Sequence, residues 1–241
     1  MEKDNVRFIK GSILDLSLLQ EAFCDIDFVF HLAALPSVPR SIKDPQATNE
    51  VNITGTLNVL LAARDNKVRK VIYSSSSSVY GDTPVLPKKE DLLLCPQSFY
   101  AVTKLCGEYY CQVFQQVYGL NTICLRYFNS YGPRQDPNSQ YAAVIPRFIS
   151  RALEGKPPII FGDGEQTRDF TFIKDVMEAN ILAAESDATG VFNIGSGNRI
   201  TINDLAKLIA RLLAIRAEPI YQEPRSGDIR HSLGFTNPAY R

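Results

Sequence analysis

The sequence predicts an α/β fold built on a doubly wound parallel sheet, and three observations carry the prediction. Short apolar stretches alternate with longer segments of helical periodicity, the order that parallel strands joined by crossover helices require. One of the short stretches, residues 27–32, is apolar on both faces, as a strand covered by helices on two sides must be. The chain has 241 residues, 45% hydrophobic and 22% charged. That is enough to bury a core without disulfides or a structural metal.

Taken in order, residues 6–9 read as a brief strand, 15–23 as a helix and 27–32 as a buried strand. Pro36, Pro39 and Pro45 mark a loop, because proline removes a backbone donor. Residues 48–64 carry apolar side chains at helical spacing, with Gly55, Ala62 and Ala63 small enough for close packing. A strand over 70–74, a proline-containing loop, a helix over 98–118 and a strand over 121–127 follow. Beyond about residue 129 glycine, proline and charged residues become frequent and the elements shorten. Helices are expected over 142–153, 174–185 and 202–213, with strands near Ile159 and Phe170. Two parts result: residues 1–128, a sheet-and-helix body, and residues 129–241, an irregular region suited to substrate contacts. The one low-complexity tract is the five serines of Ser74–Ser78.

Composition excludes several functions. Lys and Arg total 26 and Asp and Glu total 26, so no basic surface for nucleic acid or an anionic membrane is indicated. No apolar run approaches a bilayer's thickness, and the charged N-terminus has no signal-peptide core behind it. The five cysteines contain no C-x-x-C pair, so neither zinc nor a disulfide framework is indicated and reduced thiols are expected. A soluble cytoplasmic protein is the expectation.

Tyr100-Ala-Val-Thr-Lys104 is the first motif with chemistry in it. Residues i and i+4 share a helix face, so the Lys104 ammonium can lie beside the Tyr100 phenol and favour the phenolate, which turns a poor base into a usable one. Taken alone, the same five residues fit an ordinary surface helix. Upstream, the strand over 70–74 runs into Ser75-Ser-Ser-Ser-Val-Tyr-Gly81, placing hydroxyls at the carboxyl end of a parallel strand, where open α/β sheets bind ligands. A flexible loop is the alternative for a serine run, but the run is pinned between a buried strand and Val79-Tyr-Gly81.

With these pieces the chain resembles the extended short-chain dehydrogenase/reductases, and among them the nucleotide-sugar epimerases and dehydratases. The matching motifs, in order, are Gly11-Ser-Ile-Leu-Asp15, His31-Leu-Ala-Ala34, Asn52-Ile-Thr-Gly-Thr56, Ser74-Ser-Ser76 with Val79-Tyr-Gly81, and Tyr100-x-x-x-Lys104. They continue with Leu125-Arg-Tyr-Phe-Asn-Ser-Tyr-Gly-Pro-Arg134, Val144-Ile-Pro146, Gly162-Asp-Gly-Glu-Gln-Thr-Arg168-Asp-Phe170, Asn193-Ile-Gly195 and Arg225-Ser-Gly-Asp228. Any one is weak; the set in this order is specific. The resemblance implies a Rossmann-like sheet, partial over residues 1–128, with a smaller substrate-binding region after it. It implies Tyr100 as catalytic base, Lys104 as its tuner and ribose ligand, and Ser76 on the sugar hydroxyl. It implies an NAD site of Ser12, Ile13, Leu32, Ala33, Ala34, Asn52, Ser74, Tyr100, Lys104 and Tyr127. Ser12 stands where the family usually has aspartate. On the substrate side it implies Asn129, Arg168 and Arg225 for a UDP diphosphate, Val144 for uracil, Asp228 for ribose, and a homodimer formed through the helices over 48–64 and 98–118.

The reaction class follows from what the site lacks. Related 4,6-dehydratases place Asp and Glu just before Val-Tyr-Gly; here those positions are Ser77 and Ser78, and a hydroxyl cannot replace a carboxyl in eliminating water. Decarboxylases of the family carry Glu where Ser78 stands. Epimerisation at C4 through a transient 4-keto sugar needs only Tyr100 and Ser76. Ser232, at the family's size gate, together with Ser37-Val-Pro-Arg-Ser41, suggests UDP-GlcNAc/UDP-GalNAc.

No G-x-x-G-x-x-G occurs anywhere in the chain. The resemblance places the glycine-rich turn that holds a dinucleotide pyrophosphate about 50 residues before Gly11, so the chain reads as an N-terminally truncated and C-terminally incomplete epimerase. The segment that chooses NAD over NADP lies in the missing part. Two alternatives stay open: another nucleotide-sugar oxidoreductase or decarboxylase on this scaffold, and an inactive fragment that binds nucleotide sugar without turnover.

Overall fold

The computed structural model describes residues 5–137, 143–215, 218–225 and 227–236. Helix α1 (Leu16–Ala22) leads to β1 (Phe28–His31), then α2 (Val38–Lys43), α3 (Pro45–Asn49) and α4 (Gly55–Asp65), with a π-helical turn at Glu50–Thr54 between the last two. Strand β2 (Lys70–Ser76) ends in a 3₁₀ turn (Ser77–Tyr80) and is followed by α5 (Phe99–Tyr118) and β3 (Thr122–Tyr127). The second part contributes β4 (Ser130–Tyr131), α6 (Val144–Leu153), β5 (Ile159–Phe161), β6 (Thr167–Arg168), β7 (Thr171–Phe172) and α7 (Ile173–Glu185). It closes with β8 (Gly190–Ile194), β9 (Ile200–Thr201), α8 (Ile202–Leu212) and β10 (Ile220–Gln222).

The central sheet is parallel in the order β1-β2-β3-β8. Its fourth strand therefore comes from the second part of the chain. Because side chains alternate along a strand, β2 sends Val71 and Tyr73 into a core with Val59, Leu60, Ala63, Cys111 and Phe114 of α4 and α5. It sends Ile72 the other way, with Ile123 and Leu125, against Ala183 and Ala184 of α7. A separate core joins α6, β5 and α8 through Phe148, Ile160, Leu205 and Ile209. The helix ends follow local chemistry. Asp15 caps α1 by accepting from Leu18 N, Ser98 caps α5 by accepting from Ala101 N, and Gly119 ends α5 in the left-handed region.

Three expectations are corrected. Residues 6–9 form no strand, and Val6 and Phe8 are exposed. The apolar strand β1 is not covered on both faces: Phe30 is exposed on it, with Leu32 just beyond its end, and among the described residues it pairs only with β2. The prolines at 39 and 45 open short helices instead of a plain loop: Ser37 and Asp44 cap them, and proline is tolerated in a first turn whose N–H groups have no intrahelical acceptor. Strand β8 carried no readable period, since glycine opens it and Asn193 interrupts it; pairing with β3 makes it a strand. The expected helix over 142–153 begins at Val144, and Ala142 lies outside the described residues.

Candidate active site

The carboxyl end of β2 and the first turns of α5 meet at one point. Gly107 lets the helix press onto the strand, since a Cβ there would lie 2.2 Å from the Tyr73 hydroxyl oxygen. That approach brings Lys104 Nζ to donate to the Ser74 carbonyl at 2.7 Å. Tyr100 sits one turn earlier, with the Lys104 Nζ 5.9 Å from its ring centroid, and shares the cavity wall with Ser76. Ser76 also starts the 3₁₀ turn, its hydroxyl accepting from Ser78 N at 3.2 Å. The three residues named as catalytic from the sequence are thus together.

Burial raises the Tyr100 pKa, and Ser76 beside it pulls against that rise. Lys104 is buried next to it, its ammonium donating to the Ser74 carbonyl, and burial brings its own pKa down to about 8. His31 is buried beside it, and desolvation first, then the Lys104 charge, lowers its pKa to about 3. A neutral His31 shares a 2.9 Å hydrogen bond with the Thr56 hydroxyl.

Beneath the serine turn lies a buried polar frame that sequence reasoning missed. Arg126 on β3 binds Glu108 on α5 bidentately, Nη2 to Oε2 at 2.7 Å and Nε to Oε1 at 2.9 Å, with both side chains almost fully buried. Ser75 donates to the same carboxylate. Arg126 Nη1 donates to the Tyr80 hydroxyl at 2.8 Å, and Tyr80 donates to Asn193 Oδ1 at 2.7 Å. Both ends of the 75–80 segment are therefore tied to the sheet. Glu108 lies four residues beyond Lys104, a spacing that was the available signal.

A cavity of about 380 Å³ opens above this frame, lined among others by Ser76, Tyr100, Asn129, Arg168, Asp228 and Ser232. The Ser78 hydroxyl, also on its wall, is buried and has no hydrogen-bond partner among the described residues. An orphaned hydroxyl beside several others suits a polyhydroxylated ligand. Arg168 donates to Asp228 Oδ1 at 2.6 Å, and Asn129 Nδ2 donates to the Asp169 carbonyl at 3.1 Å. Val144 and Arg225 lie outside the lining. Val144 packs against the core of α6 and α8, and the Arg225 guanidinium stacks 3.8 Å from the Phe161 ring centroid. Gln97 and Ser37, which sequence reasoning had not assigned as site residues, also line the cavity.

The positions expected to hold NAD lie along the carboxyl edge of β1 and β2. Leu32 and Ala33 are exposed just past β1. The Asn52 side chain, in the π-helical turn, accepts from Leu35 N at 2.7 Å and donates to the Leu35 carbonyl and to the Thr103 hydroxyl. It brackets the 32–35 turn, with Ala34, to the helix bearing Tyr100 and Lys104. Ser12 and Ile13 form a turn pinned to α4, Ile13 packing over Gly55 and its carbonyl accepting from Asn58. Tyr127 shares a hydrogen bond with Ser74 at 3.2 Å and donates to Asn180. These residues fit the nicotinamide-ribose end of a dinucleotide, with small side chains and a cation beside a catalytic phenol. Among the described residues no cluster of His, Cys, Asp and Glu could hold a metal ion, and no helix is long and apolar enough to cross a membrane.

Residues 1–195 match the model of the NAD dependent epimerase/dehydratase family. The chain belongs to that family. A solved UDP-N-acetylglucosamine 4-epimerase from Methanobrevibacter ruminantium M1, in complex with UDP-N-acetylmuramic acid, superposes with a TM-score of 0.95 at 46% identity, over 98% of this chain and 76% of that one. A UDP-glucuronic acid 4-epimerase from Bacillus cereus, in complex with UDP-glucuronic acid and NAD, reaches a TM-score of 0.90 at 37% identity, over 97% of this chain and 74% of that one. The UDP-glucose 4-epimerase of Mycolicibacterium smegmatis is 39% identical over 95% of this chain and 74% of its own length. The Rossmann-like parallel sheet expected from the motifs is the one these epimerases share.

Proposed function

We propose that this protein is an NAD-dependent 4-epimerase of a UDP-hexose, UDP-GlcNAc/UDP-GalNAc in particular, acting through a transient 4-keto sugar. The observation that carries the reading is the cavity wall, where Tyr100 and Ser76 stand together while positions 77 and 78 offer only hydroxyls. Elimination of water needs a carboxyl acid and base there; epimerisation does not. The small Ser232 on the wall leaves room for an N-acetyl group, and the likeness to a UDP-N-acetylglucosamine 4-epimerase supports that choice.

Tyr100 would take the proton of the 4-hydroxyl and return it, with Ser76 holding that hydroxyl in line. Lys104 keeps positive potential beneath the phenol. Ala33 and Ala34 would lie against the nicotinamide ribose, with Tyr127, Ser74 and Asn52 supporting them. NAD, when bound there, supplies the oxidation and reduction at C4. Arg168 with Asn129 on the cavity wall, and Arg225 once turned from its stack on Phe161, would hold the diphosphate as a pivot, since arginine's planar fork binds phosphate oxygens bidentately. Fixing the diphosphate while the sugar turns in the cavity exposes either face of C4.

Two further proposals accompany this one. The α5 face bearing Phe99, Val102, Tyr109, Val113 and Val117 is exposed at helical spacing and would pack on a second copy, forming a homodimer. The five cysteines are all free, consistent with a reducing cytoplasm.

The test is to incubate the purified chain with NAD and UDP-GlcNAc and separate the products. UDP-GalNAc should form, and Tyr100→Phe should slow it by at least about 100-fold. UDP binding without turnover would instead mark a nucleotide-sugar binder.

A further inference from the structure

Asp169 is fully buried and immediately follows Arg168. Its carboxylate accepts four hydrogen bonds: from Ser196 N at 2.8 Å, Ser196 Oγ at 2.7 Å, Gly197 N at 3.2 Å and Gly234 N at 3.1 Å. Its carbonyl accepts from Asn129 Nδ2. Among the described residues no salt bridge reaches it. Every partner is a donor, which is the environment of an acceptor-only carboxylate. Two glycines make the seat possible. A Cβ on Gly195 would lie 2.8 Å from Asp169 Oδ2, and one on Gly234 would meet the Phe128 ring at 3.0 Å.

The segment held through Gly234 is a strap over residues 228–235, whose Asp228, Ile229 and Ser232 line the cavity. Backbone bonds also hold it: Ser232 N to the Thr167 carbonyl at 3.1 Å, Thr167 N to the Arg230 carbonyl at 3.1 Å, Lys88 N to the Leu233 carbonyl at 2.7 Å and Phe235 N to the Lys88 carbonyl at 2.8 Å. Side chains add to these, with Asp82 accepting from Arg230 N, Asp163 pairing with the Arg230 guanidinium, and His231 sharing a 3.0 Å bond with Thr167. The strap carries Asp228, which pairs with Arg168, and Ser232, which lines the cavity. The same aspartate thus holds Asn129 from below and the strap from the side, without lining the cavity itself.

We propose that Asp169 is a positioning residue for the nucleotide-sugar site: its carboxylate seats the strap and so fixes Asp228 and Ser232 opposite Arg168 and Asn129. This rests on the epimerase reading for the identity of the ligand, not for the seat. Asparagine would turn one acceptor oxygen into a donor facing N–H groups, unlatching Gly234 or the 196–197 turn with little change in volume.

The experiment compares the full chain with Asp169→Asn, using UDP as the probe in calorimetry below both melting transitions, and amide hydrogen exchange. Expected are UDP affinity weaker by about tenfold or more, faster exchange over 230–235, and unchanged exchange in β2 and β3. Faster exchange with unchanged UDP affinity would reduce Asp169 to a structural group and overturn the proposal, as would unchanged exchange of the strap. If the parent chain binds no UDP, the proposed function fails while exchange of the strap still decides the seat. If Asp169→Asn does not fold, Ser196→Ala, which removes one donor, should speed exchange over 230–235 in the same direction; no change there overturns the seat.

Discussion

The two ends of the cavity are built on opposite plans. At the Tyr100 end the groups are buried, and their protonation is shaped by desolvation. Tyr100 is held as a phenol, Lys104 is brought down to about 8, His31 to about 3, and Glu108 and Arg126 are paired underneath. At the Arg168 end the charges sit nearer solvent: Asp228 is 44% exposed and Arg225 is exposed, although the Arg168 side chain is only 12% exposed. The difference teaches where precision is needed. Moving a proton requires fixed atoms in a dry place, whereas gathering a diphosphate requires accessible cations that can exchange one anion for another.

The contrast can be broken most severely from below. Glu108→Ala leaves Arg126 buried without its carboxylate, and should cost about 3–5 kcal/mol in chemical denaturation. A result near zero would mean the frame is not anchoring the catalytic end.

His31 sharpens the contrast through pH. Its folded pKa of about 3 lies below the unfolded value of about 6.5, so the unfolded chain binds the extra proton between those limits. Stability present near neutrality is therefore lost as pH falls from about 6.5 toward 3, by a few kcal/mol at about 1.4 kcal/mol per pKa unit. In His31→Gln the dependence of unfolding free energy on pH over that window should flatten.

Lys104 should show activity and stability pulling apart. Lys104→Met removes a buried cation with no carboxylate beside it, so at pH 7 the variant should be more stable by about 1–3 kcal/mol while losing epimerisation. Denaturation and product analysis on the same preparation check both halves. The smallest effect belongs to the exposed side. Arg230 and Asp163 pair through two 2.8 Å bonds, yet both face solvent. Asp163→Asn should leave the melting temperature within error of the parent.

Much of the candidate site was legible because its residues recur at short spacings. Tyr100 and Lys104 are one helical turn apart, and Ser76 ends a run of serines on a buried strand. The substrate side was legible only through resemblance to a family, since Asn129, Arg168, Asp228 and Ser232 stand far apart along the chain. Val144 and Arg225 lie outside the cavity lining, a placement the motifs do not carry because motif membership holds no information about which way a side chain faces. Glu108, Asp169 and Ser78 matter through partners 18 to 65 residues away or through having none, which no local pattern encodes.

By itself, then, the sequence determined the alternation of strands and helices, the pairing of Tyr100 with Lys104 one turn apart, and the absence of a carboxyl pair in the serine run before them. Those depend on residue type and on spacings of a few residues, which hydrophobic periodicity and helix geometry translate directly into structure. Only the tertiary structure decided that β8 pairs with β3, that burial raises the Tyr100 pKa, and that Asp169 ties the strap to the site. Each of these is a matter of which distant groups come together and how much water is excluded when they do, and desolvation is a property of the packed whole rather than of any segment.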